Sequence, residues 1–209
     1  LGLLSMAIAA AMVIRQRDFK RMLAYSSIEH MGILAIALGV GGAAVFGALL
    51  HLVNNALAKG VMFLSAGNLH RVYGSKRADD VTGALRRSPW SATLFLVGLF
   101  AVTGSPPFGP FVSELWIVQS TFAGGHTFVA IAFLVLLLIV FIGMGGTVLP
   151  MVQGLPPAAP EGAERYRETP LTTAPIVALM ALVLLLGLWL PEPLRALIDD
   201  AVRYLGGGR

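Results

Sequence analysis

One lysine stands apart from every other positive charge in this 209-residue chain. Of fifteen Lys and Arg residues, eleven cluster between apolar runs and three lie in the tail, leaving Lys59 alone inside a run from Ala43 to Leu69. A charged side chain at the centre of a bilayer costs about 2.5–3.5 kcal/mol on insertion scales, so such residues face a bundle interior and mark ion or proton routes. His51, Asn55 and Lys59 recur at every fourth position. That spacing sets them on one helix face, as a polar ladder about 12 Å long at 1.5 Å per residue. Proton relay needs groups that change charge and that one or two waters can bridge. An imidazole and an amine meet that need, whereas Asn55 can only bridge or orient. The structural alternative, in which His51 and Asn55 tie neighbouring helices and Lys59 snorkels to an interface, is weakened by the mid-run position of Lys59.

Two further groups carry similar chemistry. Tyr25-Ser26-Ser27-Ile28-Glu29-His30 sits inside the preceding apolar run, with Tyr25 and Glu29 on one helix face and Ser26 and His30 on the adjacent one. Glu29 could serve a relay or tether two helices. Glu114 follows Gly104-Ser105-Pro106-Pro107-Phe108-Gly109-Pro110, which cuts the run from Trp90 to Phe122. Proline removes backbone donors and clashes with the preceding turn, so this span is expected to be broken, with Glu114 in the first turn of its second half. Irregular backbone at membrane depth is tolerated where it lines a cavity. A kinked helix capped by Glu114 is the plainer reading. Asp18 and Lys20 lie at the mouth of the second span, where a solvated pair is the default.

The elements that must position these residues follow from composition. With 56% hydrophobic and 12% charged residues, the chain holds about half the charge of an average soluble domain. The expected fold is an all-α integral membrane bundle of about six transmembrane segments, one of them discontinuous. A bilayer span needs about 20 apolar residues. Leu1 to Ile14 is shorter and reads as the tail of a longer span. Runs from Met22 to Val40 and Ala43 to Leu69 are antiparallel across the Gly39 to Gly42 turn. Further spans cover Trp90 to Phe122, Phe128 to Val148 and Ala174 to Leu190. Leu194, Leu197, Ile198, Ala201, Val202 and Leu205 then recur at helical spacing, as in an amphipathic helix on the membrane surface. The absence of cysteine removes disulfides and thiolate metal sites. No phosphate loop, dinucleotide glycine fingerprint or metal-spaced His or carboxylate motif is present.

The net charge of +4 is not a nucleic-acid patch, because the positives fall between apolar runs. Arg15, Arg17, Lys20 and Arg21 occupy the first loop, Arg71, Lys76, Arg77, Arg86 and Arg87 the third, and Arg165 and Arg167 the fifth; the alternate loops have none. By the positive-inside rule the odd loops are expected in the cytoplasm and the carboxy terminus outside. Arg195, Arg203 and Arg209 in the tail run against this rule.

The stretch Arg17-Asp-Phe-Lys20-Arg21-Met-Leu-Ala-Tyr25-Ser-Ser-Ile-Glu29-His30-Met-Gly32 resembles a signature of the antiporter-like subunits shared by respiratory complex I, Mrp-type sodium/proton antiporters and membrane-bound hydrogenases. His51, Asn55 and Lys59, and the Gly109-Pro110-Phe111-Val112-Ser113-Glu114 segment after the break, extend the resemblance over most of the chain. The Ile28-Glu29-His30 variant is most similar to component F of hydrogenase-4-type complexes.

The resemblance implies that residues 1–123 are the carboxy-terminal part of the antiporter-like domain, its second repeat, with spans at 1–40, 43–70 and 90–122, and that 124–209 hold the carboxy-terminal spans and tail helix. It implies a first-repeat Lys-Glu pair upstream of this chain. It also assigns central proton transfer to Lys59, relay to His51, terminal exchange to Glu114, and the cytoplasmic side of the path to Lys20, with Lys59 and Glu114 on one hydrated axis. Asn55 stands where some relatives carry a second His, so a water must bridge that step. The function implied is a proton-translocating subunit of an inner-membrane oxidoreductase, hydrogenase-4-like or NADH:quinone oxidoreductase-like. Redox chemistry would belong to other membrane subunits and a peripheral arm, and this chain would bind no cofactor or metal. The alternative is a Mrp-type antiporter subunit exchanging sodium for protons.

Overall fold

The computed structural model describes residues 1–155 and 168–206, which form helices and short connections with no strands among them. The helices are α1 (Gly2–Ile14), α2 (Phe19–Val40), α3 (Ala43–Tyr73), α4 (Ala84–Arg87), α5 (Pro89–Val102), α6 (Gly109–Ala123), α7 (Thr127–Gln153), α8 (Pro170–Leu188) and α9 (Glu192–Gly206). Four of them, α2, α3, α7 and α8, are each long and apolar enough to cross a membrane, while α1 and α5 are shorter apolar helices. Only 17% of the most apolar window of α8 is buried. Leu182, Leu185 and Leu188 on α8 and Leu134, Leu138 and Ile142 on α7 stay exposed. Apolar surface on that scale needs lipid or protein cover, so the chain is a multi-pass membrane protein.

The polar half of the bundle is built around α3. At 31 residues it is about 46 Å long, and it packs against α2, α5, α6 and α8. α1 lies directly on α2, where Gly2 and Gly32 let the two backbones touch: a Cβ on Gly32 would sit 2.8 Å from the Gly2 carbonyl oxygen.

The expected break in the fourth span is present, and the backbone shows why it forms. α5 ends in a Schellman motif, in which Ser105 N–H donates to the Phe100 carbonyl (2.9 Å) and Gly104 N–H to that of Ala101 (3.4 Å). Gly104 takes the left-handed conformation this motif requires, at φ +68°. The chain re-enters helix at Gly109, with Pro110 in the first turn, where a missing N–H costs nothing.

The first, third and fifth connections meet at one end of the bundle. Phe19 N–H donates to the Lys76 carbonyl and Ala78 N–H to that of Arg17, and Arg17 pairs with Asp79 at 3.0 Å. Thr82 Oγ1 donates to the Leu155 carbonyl at 2.7 Å. Glu168 reaches from the start of α8 to cap α5, accepting from the N–H groups of Trp90 (3.1 Å) and Ser91 (2.7 Å). Arg165 and Arg167 lie outside the described residues, as does Arg209. The tail helix α9 sits at the opposite end. Its Leu194, Ile198 and Val202 stripe packs on Phe46, Leu50 and Val112, so much of its apolar face is spent on the bundle rather than on a lipid surface. Leu197 and Leu205 stay exposed.

Glu168 supplies a pH-dependent tie. Partial burial pushes its carboxyl up, but donors at Ser91 and Trp90 outweigh this and hold it below the ordinary value of 4.5. A depressed folded value means that the contribution is complete above about 4.5 and fades as pH falls through the folded value. Glu168→Ala is therefore expected to lower the melting temperature in detergent at pH 7, with the gap from the parent closing in acid. A gap that persisted unchanged below pH 3 would show that the carboxylate charge is not what holds α5.

Candidate functional site

Buried polar side chains from α2, α3 and α6 converge beside the break. Ser26, His30, His51, Asn54 and Ser113 are all at 0% exposure, and Glu29, Glu114, Asn55 and Lys59 at 3%, 4%, 6% and 8%. An apolar helix pair could have filled this space without desolvating any charge, so the cluster departs from simple lipid-phase packing.

Lys59 reaches across from α3 to α2. Its Nζ donates to the Leu23 carbonyl at 3.2 Å and to Ser26 Oγ. It has no ion pair within 4 Å among the described residues, whose ion pairs all lie at the surface. Glu29 is buried in the same cluster, on α2 beside His30.

A second chain of contacts crosses all three helices. His30 Nδ1 and His51 Nε2 are 3.0 Å apart, and His51 Nδ1 lies 3.0 Å from Ser113 Oγ. Ser113 has one hydroxyl proton, and its Oγ lies 2.9 Å from the Pro110 carbonyl. With that proton directed at the carbonyl, Ser113 accepts from His51 Nδ1–H. His51 Nε2 then carries a lone pair and accepts from His30 Nδ1–H. His30 Nε2 is left as an unpartnered acceptor. Asn54 closes the arrangement, donating to the Gly109 carbonyl at 2.7 Å.

Glu114 lies in the second turn of α6, not the first, because the helix begins at Gly109. The favourable field of a helix N-terminus falls off within the first turn, so capping does not account for it. Its side chain instead points back along the helix and touches Gly104, so closely that a Cβ there would collide with the carboxylate. Its Oε1 is buried without a partner.

The structure brings together six of the seven residues singled out from the sequence: Lys59, His51, Glu114, Asn55, Glu29 and His30. Asn55 makes no contact that bridges His51 to Lys59, and its Oδ1 is unpartnered. Lys20 is apart, lining a surface cleft of about 400 Å³ with Asn68, His70, Arg71 and Thr172. Asp18 caps α2, accepting from the N–H groups of Lys20 (2.9 Å) and Arg21 (3.0 Å). The sequence set Ser26 on the His30 face and Gly104 in the break but gave neither, nor Ser113, a role at the site, and it did not single out Asn54; nothing local distinguishes Asn54 from Asn55.

No metal spacing is visible in the sequence, yet one donor atom each from His30, His51 and Glu114 lies within 4.8 Å of the others. The three residues come from three helices.

Comparison with known proteins bears on this arrangement. Residues 1–140 match the transmembrane family described as NADH:quinone oxidoreductase/Mrp antiporter. A Hydrogenase-4 component F homolog from Methylacidiphilum infernorum is 40% identical over 124 residues, covering 59% of this chain and 26% of the relative. NADH-quinone oxidoreductase subunit N of Desulforudis audaxviator is 34% identical over 204 residues, covering 92% of this chain and 40% of the relative. This chain therefore spans well under half the length of these relatives. Among solved structures, a chain of the Mrp complex from Dietzia sp. DQ12-45-1b superposes with a TM-score of 0.86 at 19% identity, covering 99% of this chain and 47% of that one, a likeness of fold alone. A chain of an archaeal membrane-bound sulfane sulfur reductase superposes at 0.82 with 25% identity, covering 96% and 40%. The chain belongs to the NADH:quinone oxidoreductase/Mrp antiporter transmembrane family.

Proposed function

We propose that this chain is the proton-transferring part of an antiporter-like subunit in a membrane oxidoreductase of the hydrogenase-4 or NADH:quinone oxidoreductase kind. The observation that carries this is the buried polar assembly joining α2, α3 and α6 at the broken span, with Lys59 at one end and the His30–His51–Ser113 chain beside Glu114 at the other. Lys59 holds and releases the proton, with Ser26 and the Leu23 carbonyl as its resting partners. His30 and His51 pass it between helices, and Glu114 exchanges it beside the break. Lys20 serves the cytoplasmic approach through the cleft it lines, and water bridges the step at Asn55. Residues 1–123 carry this path and residues 124–209 the flanking spans. The redox reaction belongs to other membrane subunits and a peripheral arm, and the cell inner membrane houses the complex.

Glu114→Gln in the reconstituted complex tests this reading. Positioned acid–base groups contribute about 10²–10⁴-fold to proton transfer. We expect at least a tenfold loss of donor-driven proton uptake, with Glu114→Asp intermediate because its reach is shorter. An unchanged rate and pH profile for Glu114→Gln would make Glu114 a structural group and remove the exit drawn here. Sodium-dependent proton exchange without an electron donor would favour a Mrp-type antiporter instead.

Orientation gives a separate expectation. The first, third and fifth connections share one end, and their positive charges mark it as cytoplasmic. The chain has no cysteine, so Lys76→Cys introduces a single exposed thiol. It should be labelled only by reagents that cross the membrane. Labelling of intact cells by an impermeant maleimide would invert the topology.

A further inference from the structure

We propose that His30, His51 and Glu114 form a binding site for one divalent transition-metal ion of the zinc class, set across the proton path. The inference goes beyond the proposed function, since the binding itself does not require that protons move through these residues.

The geometry matches what such an ion needs. Two Zn–N bonds of about 2.0–2.1 Å at a tetrahedral angle separate the nitrogens by roughly 3.3 Å. His30 Nδ1 and His51 Nε2 face each other at 3.0 Å, within a few tenths of that separation. One donor atom from Glu114 and from each imidazole falls within 4.8 Å of the others. Two imidazoles and one carboxylate are a common zinc ligand set that leaves a fourth position for water. The site also has the supporting contact that ligating histidines require. His51 donates its other ring N–H to Ser113 Oγ at 3.0 Å, which fixes the tautomer with Nε2 as the free donor.

An unpartnered carboxylate oxygen points the same way. Glu114 Oε1 is buried with no hydrogen-bond partner, although nearly all such atoms find one in folded proteins. Ligation of the Glu114 carboxylate would satisfy it. When the ion takes the His30 Nδ1 and His51 Nε2 lone pairs, the proton between them moves to His30 Nε2, so no proton need be lost from the imidazoles. Glu114 supplies its carboxylate as the anionic ligand. An ion seated here replaces the shared proton with a bound cation and halts transfer between α2 and α3.

The test is metal binding read directly, in the intact complex in detergent. Cobalt(II) is the probe, because its visible absorption intensifies when water's six-coordinate shell gives way to a four-coordinate site. We expect an intense band that zinc abolishes by displacement. His30→Gln and His51→Gln, which approximate the ring's size and polarity, should each remove it. Ser113→Ala should weaken affinity about 10–100-fold while leaving the band shape, the behaviour of a positioning residue behind a ligand. The chain's other two histidines, His70 and His126, are the controls, and their joint replacement by Ala should leave the band intact. A band that survives both Gln variants, or that disappears with His70 and His126, overturns the proposal. Metal-free transport separates the two readings: normal pumping with no cobalt band in the parent protein sinks the metal site alone, and a cobalt band in the parent protein that Glu114→Gln removes, with pumping in that variant unchanged, sinks the proton route alone.

Discussion

Lys59→Ala is expected to abolish ion translocation while leaving the protein inserted and folded. Removing the charge favours insertion by about 2.5–3.5 kcal/mol on translocon scales, so loss of the protein from the membrane is not the anticipated result. The groups Lys59 leaves behind remain satisfied. Ser26 Oγ donates to the Leu23 carbonyl at 3.0 Å without help from the lysine, and that carbonyl also accepts from Ser27 at 3.2 Å. The cavity left by the side chain lies between α2 and α3, whose packing is shared by Ala58, Met62, Met22 and Leu23. What disappears is the one titratable amine within the buried cluster, and no neighbour replaces it. Donor-driven quenching of a pH-sensitive dye in reconstituted vesicles measures the effect. A rate near that of the parent protein would remove Lys59 from the path and leave it a helix tether.

Gly104→Ala is expected to damage both stability and transport, for two separable reasons. A non-glycine residue in the left-handed conformation costs about 1–2 kcal/mol, and Gly104 has φ +68°. The new Cβ also occupies the space of the Glu114 carboxylate, which must rotate away. Combining Gly104→Ala with Glu114→Ala removes the collision and keeps the strain, so the double variant should be more stable than the sum of the single effects predicts. Transport should fall in Gly104→Ala toward the Glu114→Gln level, because the same carboxylate is displaced in one and neutralised in the other. Melting temperatures and vesicle transport on the four proteins decide it. Additive melting shifts would mean that the carboxylate does not rest on Gly104.

The helical inventory was readable from the sequence because each element follows from local physics. Apolar runs of bilayer length set α2, α3, α7 and α8, and the Gly39–Gly42 segment sets the α2–α3 turn. Pro and Gly residues between 104 and 110 required a break, and the four-residue period from 194 to 202 required an amphipathic tail helix. Lys59 stood out for the same local reason, since a charge within an apolar run needs an interior partner. The composition and run lengths thus determined a polytopic helical bundle with a polar ladder on α3.

Which partners the ladder meets was decided only by the tertiary structure. Sequence periodicity specifies a helix face but not the neighbouring helix or its axial offset, and hydrogen bonds form or fail over a few tenths of an ångström. So His51 finds His30, 21 positions away, and Ser113, 62 positions away. Lys59 finds Ser26 rather than a carboxylate, and Asn54 rather than Asn55 reaches the break. Glu114 moved from a cap to a side chain resting on Gly104 because the helix restarts at Gly109, one residue before the proline that the sequence marks. The common pairing of the odd loops likewise needed the packed bundle, since charge alone assigns sides of a membrane but brings no two loops into contact.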